Sequence, residues 1–411
     1  MNVLKPRTMV RPYKYLITLL LALLISGCGG SKVTKQLVMP MMPAEPVEVY
    51  WAGFAFLGDS NQRETRYPHA VAIESETAKE GVSLFDDMLR DKIKGFTAPG
   101  FILHPVVPSG LTNKGEVLSV AIALSYEDVY VIPFDGDFKV SYDITMNVVV
   151  FNWGDKKVIA VYPMRFLHNE LYKRRPTDKQ HRKVIKSLLT ANDKGINVFD
   201  EIIKRMKGIV INPTPGNYIG VNSVKLADKA LKYIPSDLLE KENLVAQIAQ
   251  EFEGQLSKSA YVPLIPFTKG EAVGNKMAAT FSNGDRYDFE LPKKDYFINL
   301  ELPGFKKHSS ADHDGFVSAL GLTVVRVSDE GPGKKFVDAS FTNNVWVVKG
   351  LSGKKSVKNH WAIYESALSK LIEDLSRQIV STDSKWLDIH AFGDDVGGQF
   401  DRFREILIKS R

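Results

Sequence analysis

Cysteine is nearly missing: a chain of 411 residues holds one, Cys28. A single thiol cannot close an intramolecular disulfide, so stability has to come from core packing, and zinc sites built on several cysteines are excluded. The signature loops of several enzyme classes are missing as well. There is no G-x-S-x-G nucleophile turn, no G-x-x-x-x-G-K-[ST] phosphate loop and no H-E-x-x-H helix. "GLSGKKS", Gly350 to Ser356, has the residue types of a phosphate loop at too short a spacing. Acidic residues are absent before Glu45, whereas Lys5, Arg7, Arg11 and Lys14 crowd the start. The apolar run that follows, Leu16 to Ile25, is broken only by Thr18. As a helix it would rise about 15 Å, half of a bilayer core of roughly 30 Å. A secretory signal is therefore expected there rather than a membrane-spanning helix.

Charge narrows the partners. The 54 basic and 48 acidic side chains leave +6, but four of the basic ones lie in the first 27 residues, which carry no acid. Without that segment the balance is 50 against 48, and a nucleic-acid partner loses its electrostatic basis. With 44% hydrophobic and 25% charged residues the remainder is ordinarily globular, and its length suits two domains.

The apolar run closes on Ile25, Ser26, Gly27 and Cys28. These residues, in register with the charges before them, resemble the lipobox of bacterial lipoproteins. The resemblance implies cleavage after residue 27 and lipidation of Cys28, with palmitate among the acyl chains. Each buried methylene contributes about 0.8 kcal/mol, and stable anchoring takes more than one chain. Gly29 rather than an aspartate follows, which implies an outer-membrane lipoprotein facing the periplasm, its one thiol consumed by lipid. Residues 28–47, with Pro40, Pro43 and Pro46, read as a tether spanning up to roughly 55 Å.

The body reads as α+β: two tandem helix-on-sheet domains, residues 48–212 and 223–411. In the first, a strand in "VEVYWAGFAFLG" precedes a helix from about Ser75 that repeats Val82, Phe85, Leu89 and Ile93. Strands in "FILHPVV", "VLSVAIALSYEDVYVI", "FKVSYDITMNVVVFNW" and "KVIAVYPMRFL" follow, then a helical stretch from Lys179 to Lys207 broken near Asp193 to Gly195. "INPTPGNYIGVN" is turn-rich and marks the boundary. In the second half a helix from Leu244 to Lys258 precedes strands in "YVPLIPF", "DYFINLELPGF", "LTVVRVS" and "KFVDASFTNNVWVVKG". Amphipathic helices from His360 to Ile379 and around Phe400, Phe403 and Leu407 end the chain.

"LVAQIAQEFEGQLSKSAYVPLIPF" followed by "DYFINLEL" resembles the opening of the amino-terminal domain of TolB. It also resembles related domains of the curli-secretion lipoprotein and of flagellar outer-membrane accessory proteins. The resemblance covers Leu244 to Ile379 apart from the insert Thr268 to Lys294, and implies an anticodon-binding-like sandwich that docks to partners in envelope assemblies.

Candidate chemistry is sparse. "HSSADHD" offers His308, Asp312, His313 and Asp314 as ligands for a divalent ion, although its serines and Gly315 favour a solvated loop. "YEDVYVIPFDGDF" groups Glu127, Asp128, Asp135 and Asp137 without the spacing of a calcium loop. The basic run from His168 to Lys183, with Lys173, Arg174 and Arg175 at its centre, suits anionic lipid or an acidic partner. Trp153, at the tip expected between two strands, is the aromatic with no core to serve.

The expectation is a non-enzymatic outer-membrane lipoprotein, without cofactor, that assembles or stabilises an envelope complex such as secretion, flagellar or surface-structure machinery. Its partners would be the membrane through its lipid and other envelope proteins, or further copies of itself as a homo-oligomer. The alternative is a periplasmic ligand-binding or metal-dependent hydrolytic domain acting on envelope polymer.

Overall fold

The structure is a computed structural model. It describes residues 46–411 except 78–82, 107–116, 135, 192, 237, 239–242, 268–275, 329–332 and 349–359. The first half contributes strands β1 (Val47–Leu57), β2 (Phe101–His104), β3 (Leu118–Phe134), β4 (Asp137–Asn152) and β5 (Lys157–Tyr172). Its longer helices are α1 (Pro68–Thr77), α2 (Leu84–Ile93), α3 (Asp178–Thr190) and α4 (Val198–Met206). The second half begins with β6 (Ile219–Leu226) and α5 (Asn243–Ala260), followed by a hairpin of β7 (Lys276–Phe281) and β8 (Arg286–Glu290). Then come β9 (Tyr296–Leu302), β10 (Phe305–Ser309), β11 (His313–Arg326) and β12 (Lys335–Val348). The chain ends with α6 (Trp361–Val380), α7 (Ser384–His390), β13 (Ala391–Phe392) and α8 (Val396–Lys409).

The fold is α+β, built on two sheets. Strand β1 runs parallel to both β2 and β3, and β3, β4 and β5 form a long antiparallel meander. Alternation sends Val120, Ile122, Met146, Val148 and Tyr162 to the side covered by α1–α4, while Ala121, Ala123, Val149 and Val161 face the other way. Local chemistry starts the covering helices. Ser83 caps α2, Thr177 and Gln180 form a capping box on α3, and Asn197 caps α4. The helix expected from about Ser75 is two helices, and Glu74 at the end of α1 accepts from the Leu84 and Phe85 N–H groups at the start of α2.

The β7–β8 hairpin lies within the insert Thr268 to Lys294, and it joins the first sheet rather than the second. β7 pairs with the end of β1 (Ala55 with Phe281, Leu57 with Ala279), and β8 meets β5 at Lys157. The order β1-β3-β4-β5-β8-β7 thus returns to β1, and the ring encloses its own small core of Ala121, Val149, Phe151, Met277, Phe281 and Phe289.

The second sheet has the order β13-β12-β11-β9-β6, with β10 also on β11. β6 begins at Ile219, inside the expected linker, because it pairs in parallel with β9 from Tyr296 onward. "YVPLIPF" is not a strand. Pro263 and Pro266 lack the N–H a ladder needs, and the segment bridges the sheets instead: the Leu264 N–H donates to Val161 and the Ile265 N–H to Ile219. Helix α5 packs on β5, on β6 and on α6, so the two halves share it. Helices α6 and α8 cover one face of the second sheet, while residues such as Asn299, Glu301, Ser340 and Trp346 lie on the other face, which no element covers among the described residues.

Candidate functional site

Ile25, Ser26, Gly27, Cys28 and Asp135 lie outside the described residues. The remaining expected site residues do not gather. His308, Asp312, His313 and Asp314 form the β10–β11 hairpin, and its turn is closed by hydrogen bonds between Ser310 and His313. Asp312 pairs with His313 at 2.8 Å, a hydrogen bond that lowers its pKa, while Asp314 turns inward to Lys307 at 3.0 Å and Ser309 at 2.6 Å. Among the described residues no three His, Cys, Asp or Glu side chains converge as a metal site requires. Lys173 is exposed and pairs with Asp137 at 2.7 Å, and Arg174 and Arg175 are exposed beside it.

Trp153 does not stand free. The β7–β8 hairpin supplies the core it was expected to lack: Tyr287 lies 5.3 Å away between ring centroids and Phe281 6.3 Å away, with the Lys156 ammonium 4.0 Å over the indole.

The site that the fold does assemble is a cleft of about 1080 Å³ where the halves meet. Its walls are α5 on one side and the β7–β8 hairpin on another, with the segment from Leu57 to His69 at the mouth. The floor comes from Ser125, Thr145, Asn147 and Pro163 on the central strands. A bulge between Leu124 and Tyr126 makes the floor, because the extra residue sets both Ser125 and Tyr126 against Thr145. At the mouth Gly58 has φ +98, and a Cβ there would lie 2.6 Å from Arg66 Nη1. Only glycine lets the guanidinium lie against that turn.

Two carboxyls in the cleft are buried. Burial pushes Glu127 up to about 7, although it accepts from the His69 and Ala70 N–H groups at 2.8 and 2.9 Å and so caps α1. Burial raises Glu253 to about 7 as well, against the pull of Lys294 and the N–H groups of Phe267 and Val221 at 3.1 and 3.2 Å. Both acids are thus occupied by backbone donors. Asn147 differs: it is 1% exposed, yet among the described residues neither Nδ2 nor Oδ1 has a partner. An unmet buried polar group costs about 1–3 kcal/mol, so it calls for an explanation.

Beside the floor, on the same face of β4 and β5, the junction is sealed by charge. Arg165 holds Asp143 through two bonds of 2.8 Å and Glu251 of α5 at 2.8 Å. Burial opposes that guanidinium's charge, but the two carboxylates overcome it and raise its pKa. Gln247 of α5 donates to the Tyr130 hydroxyl, and Lys139 meets Glu365 of α6 at 3.5 Å. Sequence reasoning missed Asn147, Glu253 and this network. Heptad-like spacing marked Val245, Ile248, Phe252 and Leu256 as the buried face of α5, and nothing separates Gln247, Glu251 or Glu253 from solvated polar residues until the first sheet packs on Gln247 and Glu251, and β6 with Phe267 closes on Glu253.

Among the described residues no helix is long and apolar enough to cross a membrane. No known family matches the chain, and no curated protein matches it. Among solved structures, a hypothetical protein from Chlamydia trachomatis is similar over 39% of this chain and 95% of its own, at 9% identity and a TM-score of 0.24. A likeness of that size carries no argument about fold or function.

Proposed function

We propose that the protein is an outer-membrane-anchored, periplasm-facing lipoprotein that assembles or stabilises a larger envelope complex through protein contacts rather than catalysis. The observation that carries this reading is the amino-terminal segment: four cations, one short apolar run, two small residues and the chain's only cysteine, in that order. A contact role is supported by the uncovered face of the second sheet. Trp346 is 57% exposed there and lies flat over Gly315, where a Cβ would come within 2.7 Å of the ring. Val348 on the same strand and Phe392 on β13 are also exposed. Apolar side chains held out on a rigid sheet are what a docking partner would cover.

The proposal extends to domain organisation. Residues 48–212 and 223–411 act as two helix-on-sheet units joined through α5 and the β7–β8 hairpin, the second being the TolB-like docking unit. Deleting the gene in its own bacterium, with crosslinking and pull-down from intact cells, tests the function. The expected outcome is loss of a surface structure, of secretion or of envelope integrity, together with a discrete envelope partner. A deletion strain with no such loss, together with no partner captured, would overturn the reading.

A further inference from the structure

We propose that the outer ridge of α3, together with the basic turn leading into it, rests on an anionic phospholipid surface. The proposal goes beyond the assembly role and does not rest on a lipid at Cys28. Helix α3 buries Val184, Ile185, Leu188 and Leu189 in the core of the first half. At 3.6 residues per turn, Lys179, Lys183 and Lys186 fall within about 60° of one another on the opposite side, a ridge about 10 Å long. Arg174 and Arg175 stand exposed in the turn that precedes the Thr177 cap.

These five cations are uncompensated. The acids around them are taken by other partners: Asp137 by Lys173 at 2.7 Å, Glu170 by Lys194 at 2.8 Å, and both Asp178 and Glu76 by Arg182. Among the described residues no ion pair is left for Arg174, Arg175, Lys179, Lys183 or Lys186. The arrangement also works against the helix. Lys179 sits in the first turn, where the dipole repels a cation, and lysines spaced at i, i+4 and i+7 repel one another with no acid between them on the ridge. A ridge that served solubility alone would gain by alternating sign. A surface of fixed negative charge relieves the repulsion.

The residue types select a bilayer over an acidic protein or a nucleic acid. Lysine is a mobile point charge that is depleted at protein interfaces, where buried aromatics and bidentate arginine lead. A layer of phosphate headgroups asks for no fixed geometry and rewards each cation brought near it. Lys179, Lys183 and Lys186 have no aromatic ring among them to stack a base. Leu171, 65% exposed two residues before Lys173, adds an apolar contact of the kind a headgroup layer accepts.

Acetylation of lysine amines, read by mass spectrometry on the detergent-solubilised full chain added to vesicles, tests this. On phosphatidylcholine vesicles with about one quarter phosphatidylglycerol, Lys173, Lys179, Lys183 and Lys186 should react about tenfold more slowly than on phosphatidylcholine alone. Sodium chloride at about 0.5 M should restore their reactivity. Lys225 and Lys335, exposed on the second sheet, should react equally on both vesicles. In the combined variant Lys179→Gln, Lys183→Gln and Lys186→Gln, Lys173 should lose its protection, while the melting midpoint stays unchanged or rises because the repulsion is gone. Cys28→Ser should show the wild-type protection, so a failed anchor would leave this result standing. Equal reactivity on both vesicles, protection that extends to Lys225 and Lys335, or the same protection by polyglutamate or inorganic phosphate without anionic vesicles would overturn the proposal.

Discussion

Glu253 is a carboxyl with no exposed surface to speak of, held between the Val221 and Phe267 N–H groups where α5 meets β6. Its folded pKa near 7 lies above the ordinary 4.5, so folding takes up a proton between those values. That stabilisation is complete below about pH 4.5 and lost as pH rises through about 7; at about 1.4 kcal/mol per pH unit it amounts to roughly 3 kcal/mol. Glu127 acts in the same direction. Urea unfolding should therefore give a wild-type protein weaker at pH 8 than at pH 5. Glu253→Gln removes the titration but sets an NH2 donor against one of those two N–H groups, so it should be weaker than wild type at pH 5 and lose less than wild type between pH 5 and pH 8. A wild type that gains stability toward pH 8 would contradict the assignment. Neither acid was legible as buried. Glu127 sits in an alternating strand beside Asp128, and only the packing of α1 on β3 distinguishes the one that turns inward.

At the level of elements, the β7–β8 hairpin does the most to shape the molecule and was the least foreseen. Phe289 is 1% exposed and packs at a tilt against Phe151 with ring centroids 4.5 Å apart, inside the ring that the hairpin closes. Phe289→Ala should cost about 3–5 kcal/mol in urea unfolding and change the fluorescence of Trp153, which rests on the same hairpin. A loss below about 1 kcal/mol would mean the ring is open in solution. The meander β3–β5 was legible because Val, Ile and Tyr alternate over long runs, and α3, α5 and α6 because their apolar residues repeat at three and four. The hairpin was not, since its strands are short and its partners, β1 and β5, lie more than a hundred residues away in sequence. The same limit hid the role of "YVPLIPF". Its apolar residues read as a strand, but its prolines make it a strap tied at Leu264 and Ile265 to one sheet each.

As a whole, the molecule is two sheets that share helix α5, with a cleft at the junction and one face of the second sheet uncovered among the described residues. The α+β class was legible from the succession of runs. The joining of the halves was not, because it depends on side chains such as Arg165, Asp143 and Glu251 whose partners are set by tertiary contact. The proposed function rests on the other end of the chain, on Cys28. The direct test is metabolic labelling with palmitate, followed by outer-membrane fractionation, of wild type and Cys28→Ser. Wild type should carry label and sediment with outer membrane, while the serine variant should be unlabelled and either released or left unprocessed. A serine variant that still labels and still fractionates with outer membrane would contradict the account.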